Sequence, residues 1–117
     1  MKVIASLTAS GNASPTDFGP LEGPESNRVW ELYEEGTLRE IYLRTDAIGA
    51  VIVLEVADEA ETARAIRSLP MVEAGLFEIG YVPLAPWPEM TRMLEERGQP
   101  VILARSAARR SRPRGGR

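Results

Sequence analysis

Between Ala50 and Val56 the chain reads AVIVLEV, seven residues of which only Glu55 is polar. Val51, Ile52, Val53 and Val56 are β-branched, and the run is too short for an independent helix, so it predicts a strand. A strand with one wet face alternates apolar and polar residues; this one does not, so it must be covered on both faces. Whatever fold the chain adopts has to supply two covers for this strand.

The flanking sequence supplies one of them. Lys2 to Thr8 alternates in the manner of a first strand, and Ala9 to Gly23 is rich in Gly, Pro, Ser and Asn, a loop with one helical turn after Ser14-Pro15. A helix follows from Pro24 to Glu35: Pro24 suits the first helical position, Glu25 favours the positive end of the dipole, and Gly36 is a stop. Val29, Leu32 and Tyr33 share a face, with Trp30 on its flank, and predict core packing. Leu38 to Arg44 is a second strand, and Thr45 to Gly49 turns the chain into AVIVLEV. Asp58 caps a second helix with Glu61 at the capping-box position; Ala60, Ala63, Ile66 and Leu69 form its buried stripe and Pro70 closes it. Gly75 to Val82 is the last core strand, ended by Pro83.

The order β-α-β-β-α-β predicts a ferredoxin-like α+β sandwich, an antiparallel sheet with both helices on one face. The second cover must then come from outside the protomer. A sheet from a second copy is the economical solution, so a homodimer, the dimeric α+β barrel arrangement, is expected. The domain is assigned to residues 1–88. Beyond it, Pro86, Trp87 and Pro88 lead to a short helix from Glu89 to Arg97 with Met90, Met93 and Leu94 on its apolar face. Residues 89–104, ending in a short strand at 101–104, are expected to form an arm packing on a neighbouring subunit. Residues 105–117 have an Arg/Ser/Gly/Pro composition that builds no core and predicts disorder.

Composition removes several chemistries. The chain has neither cysteine nor histidine, so disulfides, thiolate ligands, the commonest metal ligand and the usual neutral-pH general base are excluded. No metal and no cofactor are expected. No apolar run approaches a membrane span, and the N-terminus lacks the pattern of a signal peptide, which points to a cytoplasmic protein. The net charge of −3 conceals a split: six of the 14 basic residues lie at or beyond Arg105, and all 17 acidic residues lie at or before Glu96. The tail attracts phosphate without aromatic residues to stack on bases, and it hangs from an acidic body, so nucleic acid is not expected as a partner.

Strand parity places the candidate chemistry. Leu38, Glu40, Tyr42 and Arg44 share one side of the second strand, with Glu55 and Glu78 on the same side of their own strands. Ile41, Leu43, Ile52, Leu54, Phe77 and Ile79 form the opposite, helix-facing layer. A carboxylate on a partly enclosed face is a general-base candidate, and an arginine can hold a ligand carboxylate bidentately. Glu40 is assigned as base with Glu78 second. Tyr42 and Arg44 are assigned to position a ligand, with Glu55 and Tyr33 as further contacts; Arg39 is structural. Alternatively, Glu40 and Arg44 pair with each other or across the dimer and only fix its register. Gly80 either leaves room for a ligand or marks a bulge.

Glu35-Gly36-Thr37 followed by Arg39, the apolar third strand ending in Glu55-Val56, Leu69-Pro70, Glu78, and the prolines at 83, 86 and 88 together resemble the muconolactone isomerase family of the dimeric α+β barrel superfamily. Trp30-Glu31-Leu32-Tyr33, Gly36, Leu38-Arg39-Glu40, Tyr42, Arg44 and Asp46 resemble a subgroup of uncharacterised relatives within it. The resemblance covers about half the chain and implies the same fold, a dimer and a small organic acid or lactone as ligand, isomerised without a cofactor. True isomerases of the family carry a histidine and tryptophans on the second strand, where this chain has Glu40 and Tyr42. Two other readings stay open on the same fold: a non-catalytic ligand-binding or accessory subunit, and a cofactor-independent oxygenase.

Overall fold

The computed structural model describes residues 1–98, which divide into a first compact unit, Met1–Leu84, and a second beginning at Ala85. The expected strand at 101–104 and the reading of 105–117 lie outside the described residues. In the first unit the elements are β1 (Lys2–Ala9), α1 (Pro15–Phe18), a 3₁₀ turn (Gly19–Leu21), α2 (Glu22–Glu35), β2 (Leu38–Leu43), β3 (Gly49–Glu55), α3 (Glu59–Arg67), α4 (Pro70–Glu73) and β4 (Phe77–Leu84). The four strands form one antiparallel sheet in the order β2-β3-β1-β4, the ferredoxin-like arrangement. The second unit contributes α5 (Pro88–Glu96), where Trp87 and Met90 are exposed.

The helix-facing layer is built from alternate residues of the two central strands. Val3, Ala5 and Leu7 of β1 pair with Leu54, Ile52 and Ala50 of β3, and this row packs beneath Leu32 of α2, Ala65 and Ile66 of α3, and Leu69. The edge strands obey the pattern less closely. Leu43 is 83% exposed and Ile41 43%, because β2 runs past the helices at its far end. Phe77 and Ile79 are half-buried against the core.

Leu38 departs from simple parity. Leu38 pairs with Leu54 and Glu40 with the adjacent Val53, an irregularity in the β2–β3 register that skips Arg39, so Leu38 turns to the helix side and is buried, whereas Glu40 faces the other way. The extra residue is Arg39, whose Nε donates to the Gly36 carbonyl at 2.7 Å. A β-bulge of this kind shifts alternation by one residue.

The helix termini depart from their sequence signals in several places: α2 starts at Glu22, capped by Leu21, so Pro24 takes its third position and not the first. Asp58 Oδ1 accepts the Glu61 amide at 2.8 Å, and Glu61 Oε1 accepts the Ala57 amide at 2.6 Å, so the box closes one residue earlier than usual. The buried stripe of α3 is Thr62, Ala65 and Ile66, with Ala60 exposed and Ala63 only half-buried, one position round from the expected face. Thr62 is admitted because its hydroxyl donates back to the Asp58 carbonyl. Pro70 does not close α3, which stops at Arg67; it opens α4 at the first helical position, where no N–H is needed. Likewise Pro83 lies inside β4, opposite Val3, because β4 is an edge strand.

Glu25 reaches from α2 to accept the Met71 amide at 2.8 Å in the first turn of α4. Burial pushes its carboxyl above the ordinary value, against the opposing effect of that hydrogen bond. Trp30 and Tyr33 do not join the core. They are 58% and 51% exposed and stack on each other, ring centroids 5.3 Å apart, while Leu32 takes the buried position.

Gly49 starts β3 where a β-carbon would collide with the Leu7 carbonyl, a backbone atom that cannot swing aside. Gly49→Ala should therefore lose about 2 kcal/mol or more in denaturant unfolding, and an unchanged midpoint would contradict this strand approach. Asp58→Ala should cost about 1 kcal/mol through loss of the cap, measured in the same way.

Candidate functional site

The sheet face away from the helices carries four cross-strand rows. Glu55, Lys2 and Leu84 form the first; Glu40, Val53, Ile4 and Val82 the second; Tyr42, Val51, Ser6 and Gly80 the third. Gly49, Thr8 and Glu78 form the fourth, which the Arg44 backbone extends by donating to the Gly49 carbonyl at 3.0 Å. The centre is apolar or small and the polar residues stand toward its margins. Glu40, Tyr42, Arg44, Glu55 and Glu78 therefore lie on one face, as parity predicts once the Leu38 bulge is allowed for.

They are not brought to one point. β2 and β4 are the opposite edges of the sheet, so Glu40 and Glu78 are three strand spacings apart across the sheet and two rows apart along it, roughly 20 Å in all. Glu40 and Tyr42 do meet: the Tyr42 hydroxyl donates to Glu40 Oε1 at 2.7 Å. That bond, with the charge of Glu40, pushes the Tyr42 phenol above its ordinary value. The phenol is thus held as a proton donor beside an ionisable acceptor. The Glu78 side chain has no partner among the described residues.

Arg44 is engaged elsewhere than expected. Its Nε and Nη2 donate to the two carboxylate oxygens of Asp46 at 2.9 and 2.8 Å, and its Nη1 donates to the Thr8 hydroxyl. The guanidinium crosses β3 at Gly49, which has no side chain to obstruct it. Its hydrogen bond to Asp46 holds that carboxyl below the usual carboxylate range. No Glu40–Arg44 pair forms within the protomer. Glu55 is also committed: the Met1 amine lies 3.1 Å and Lys2 Nζ 3.7 Å from its carboxylate. Partial burial pushes the Glu55 carboxyl up, but the Met1 amine, Lys2 and Arg39 outweigh it and hold the group below its ordinary value. Tyr33 sits on α2, on the opposite side of the sheet from Glu40.

Thr8, Ser6 and Asp46 belong to this face and are absent from the sequence assignment. The period-two alternation of β1 contained the first two, and the Arg44-x-Asp46 spacing across a turn contained the third. Two clefts lie on the helix side, one of about 270 Å³ between α2 and α3 bordered by Arg28, Glu35 and Arg64, and one of about 320 Å³ beside Thr62 and Tyr81. Neither includes an assigned site residue. Among the described residues no three metal-ligating side chains gather, and no helix is long and apolar enough to cross a membrane.

No protein-family model matches the chain, and no curated protein matches it in sequence. Similar solved structures include the following two. The dehydrochlorinase TftG of Burkholderia phenoliruptrix AC1100, which acts on 5-chloro-2-hydroxyhydroquinone and was solved with 2,5-dihydroxybenzoquinone, is 12% identical, with a TM-score of 0.63 over 76% of this chain and 98% of its own. A muconolactone isomerase is 19% identical, with a TM-score of 0.62 over 75% of this chain and 92% of its own. Both belong to the dimeric α+β barrel superfamily, and this chain shares their ferredoxin-like α+β fold.

Proposed function

We propose that the open face is covered by a second copy of this chain, enclosing a site for a small enolisable metabolite of the lactone type, and that the protein is a cofactor-free isomerase. The observation that carries this reading is the Glu40–Tyr42 hydrogen bond beside an apolar sheet face. Glu40 takes a proton from a carbon next to a carbonyl. Once Glu40 is neutral, the Tyr42 hydroxyl is released to donate to the developing enolate oxygen. Returning the proton to a second carbon completes a 1,3-shift in which nothing is oxidised or reduced and no cofactor is consumed. Glu78 is the second candidate base, acting on a ligand held nearer β4 or supplied from the partner's side of the pocket. A cytoplasmic location belongs to the same reading, as does packing of the arm around α5 on a neighbouring subunit.

A second reading is favoured by Arg44. Its fork is filled by Asp46 and its third nitrogen by Thr8, an arrangement suited to bracing the end of the sheet. On that reading the polar margin specifies the dimer, and the chain is a ligand-binding or accessory subunit without turnover.

The two are separated by carbon-bound hydrogen exchange in D₂O, followed by NMR over a panel of unsaturated lactones. Glu40→Gln should slow exchange by about 10²- to 10⁴-fold while leaving the fold intact; exchange at the wild-type rate would remove Glu40 from catalysis. The Tyr42 phenol provides an independent check by absorbance titration. It should ionise above its ordinary value of about 10, and return toward that value in Glu40→Gln. Because its value in the folded chain is raised, the bond contributes stability below pH about 10, which is lost as pH rises through the shifted value. A Tyr42 titration indifferent to Glu40 would contradict the pairing.

A further inference from the structure

The pairing of charges on the open face bears on what it accepts. On the rows running from Glu40 to Glu78, Arg44 is the sole cation among the described residues. Asp46 occupies both positions of its fork, the geometry that a ligand carboxylate would need. Asp46 is only two residues away along the chain, so an incoming acid always competes with a tethered one. The other cations on this side, the Met1 amine, Lys2 and Arg39, act on Glu55 one row beyond Glu40.

The polar groups left over are of a different kind. The side chains of Ser6 and Glu78 have no partner among the described residues. Gly80 lies directly across from Ser6, and a β-carbon there would meet nothing within 4 Å, so the sheet is open above it. Val51 lies across from Ser6 on the other side, and Ile4 and Val82 form the adjacent row. An ionised carboxylate only accepts hydrogen bonds, and a serine hydroxyl both donates and accepts. Such a surface is complementary to hydroxyl donors on an apolar body.

We infer that the Ser6–Gly80–Glu78 half of the open face binds a neutral small ring bearing hydroxyl groups, and that Asp46 is the specificity-determining residue that turns carboxylates away by filling the Arg44 fork. The inference rests on the reading of this face as a ligand site. It deepens that reading by replacing the expected organic acid with a hydroxylated neutral compound. Glu78 and Ser6 hold the hydroxyls, and Val51, Ile4 and Val82 contact the ring. Gly80 supplies the space.

The test is an amide NMR titration of the full chain with catechol and, separately, with benzoate. Catechol should shift the amides of Ser6, Glu78 and Gly80, and benzoate should act there at least about tenfold more weakly. In Asp46→Ala the benzoate affinity should rise about tenfold, with catechol changed less than about twofold; Asp46→Asn, which keeps the side-chain shape, guards against a local rearrangement. Ser6→Ala should weaken catechol about fivefold. If wild-type protein binds benzoate at these amides as tightly as catechol, the ligand class is wrong although the site stands. If neither compound shifts these amides, the site itself is wrong. No gain of benzoate binding in either Asp46 variant would overturn the role of Asp46.

Discussion

The two central strands of the sheet carry apolar side chains on both faces, and helices cover only one. Val3, Ala5, Leu7, Ile52 and Leu54 are buried beneath α2 and α3, whereas Ile4, Val51 and Val53 remain only half-buried on the other side and Val82 is 51% exposed. Fully burying a side chain of this size stabilises by roughly 1.5–3 kcal/mol. Covering four of them from their present partial exposure is a matter of several kcal/mol, comparable with the net stability of a small domain. The topology offers no segment within Met1–Leu84 to do so. The proposed second copy, and the site it would enclose, both rest on this imbalance.

The polar margin is consistent with that dependence. Arg44 is tied by Asp46 and Thr8, and Glu55 by Lys2 and the Met1 amine, so in the proposed contact these charges would already be paired. A buried charge without a partner costs several kcal/mol, and pairing within the protomer removes most of that penalty before association. Glu40 keeps only the Tyr42 hydroxyl and Glu78 keeps no partner among the described residues. These are the groups left for the proposed ligand or second copy to satisfy.

Much of this was legible in the sequence because the deciding signals were local and strong. AVIVLEV identified the central strand, Asp58 with Glu61 the helix start, and Gly36 the helix stop, where φ is +86°. What was not legible depended on long-range geometry. The bulge at Arg39 reverses the side taken by Leu38 and leaves no mark in the alternation. Leu43 is apolar and alternates correctly, yet it lies beyond the reach of the helices. Tyr33 fits an amphipathic stripe but stacks on Trp30 in solvent, because Leu32 already fills the space beneath α2. Arg44 reads as a free carboxylate clamp until the turn returns Asp46 to it.

The association of the open face is tested most directly by the solution mass of the full chain, measured by sedimentation equilibrium alongside Val53→Asp. The account predicts a wild-type species of twice the 12.9 kDa chain mass or a multiple of it. It also predicts that Val53→Asp shifts the population to monomer, since a charge is placed at the centre of the contact. A wild-type monomer at concentrations well above the micromolar range, or an oligomer indifferent to Val53→Asp, would contradict it.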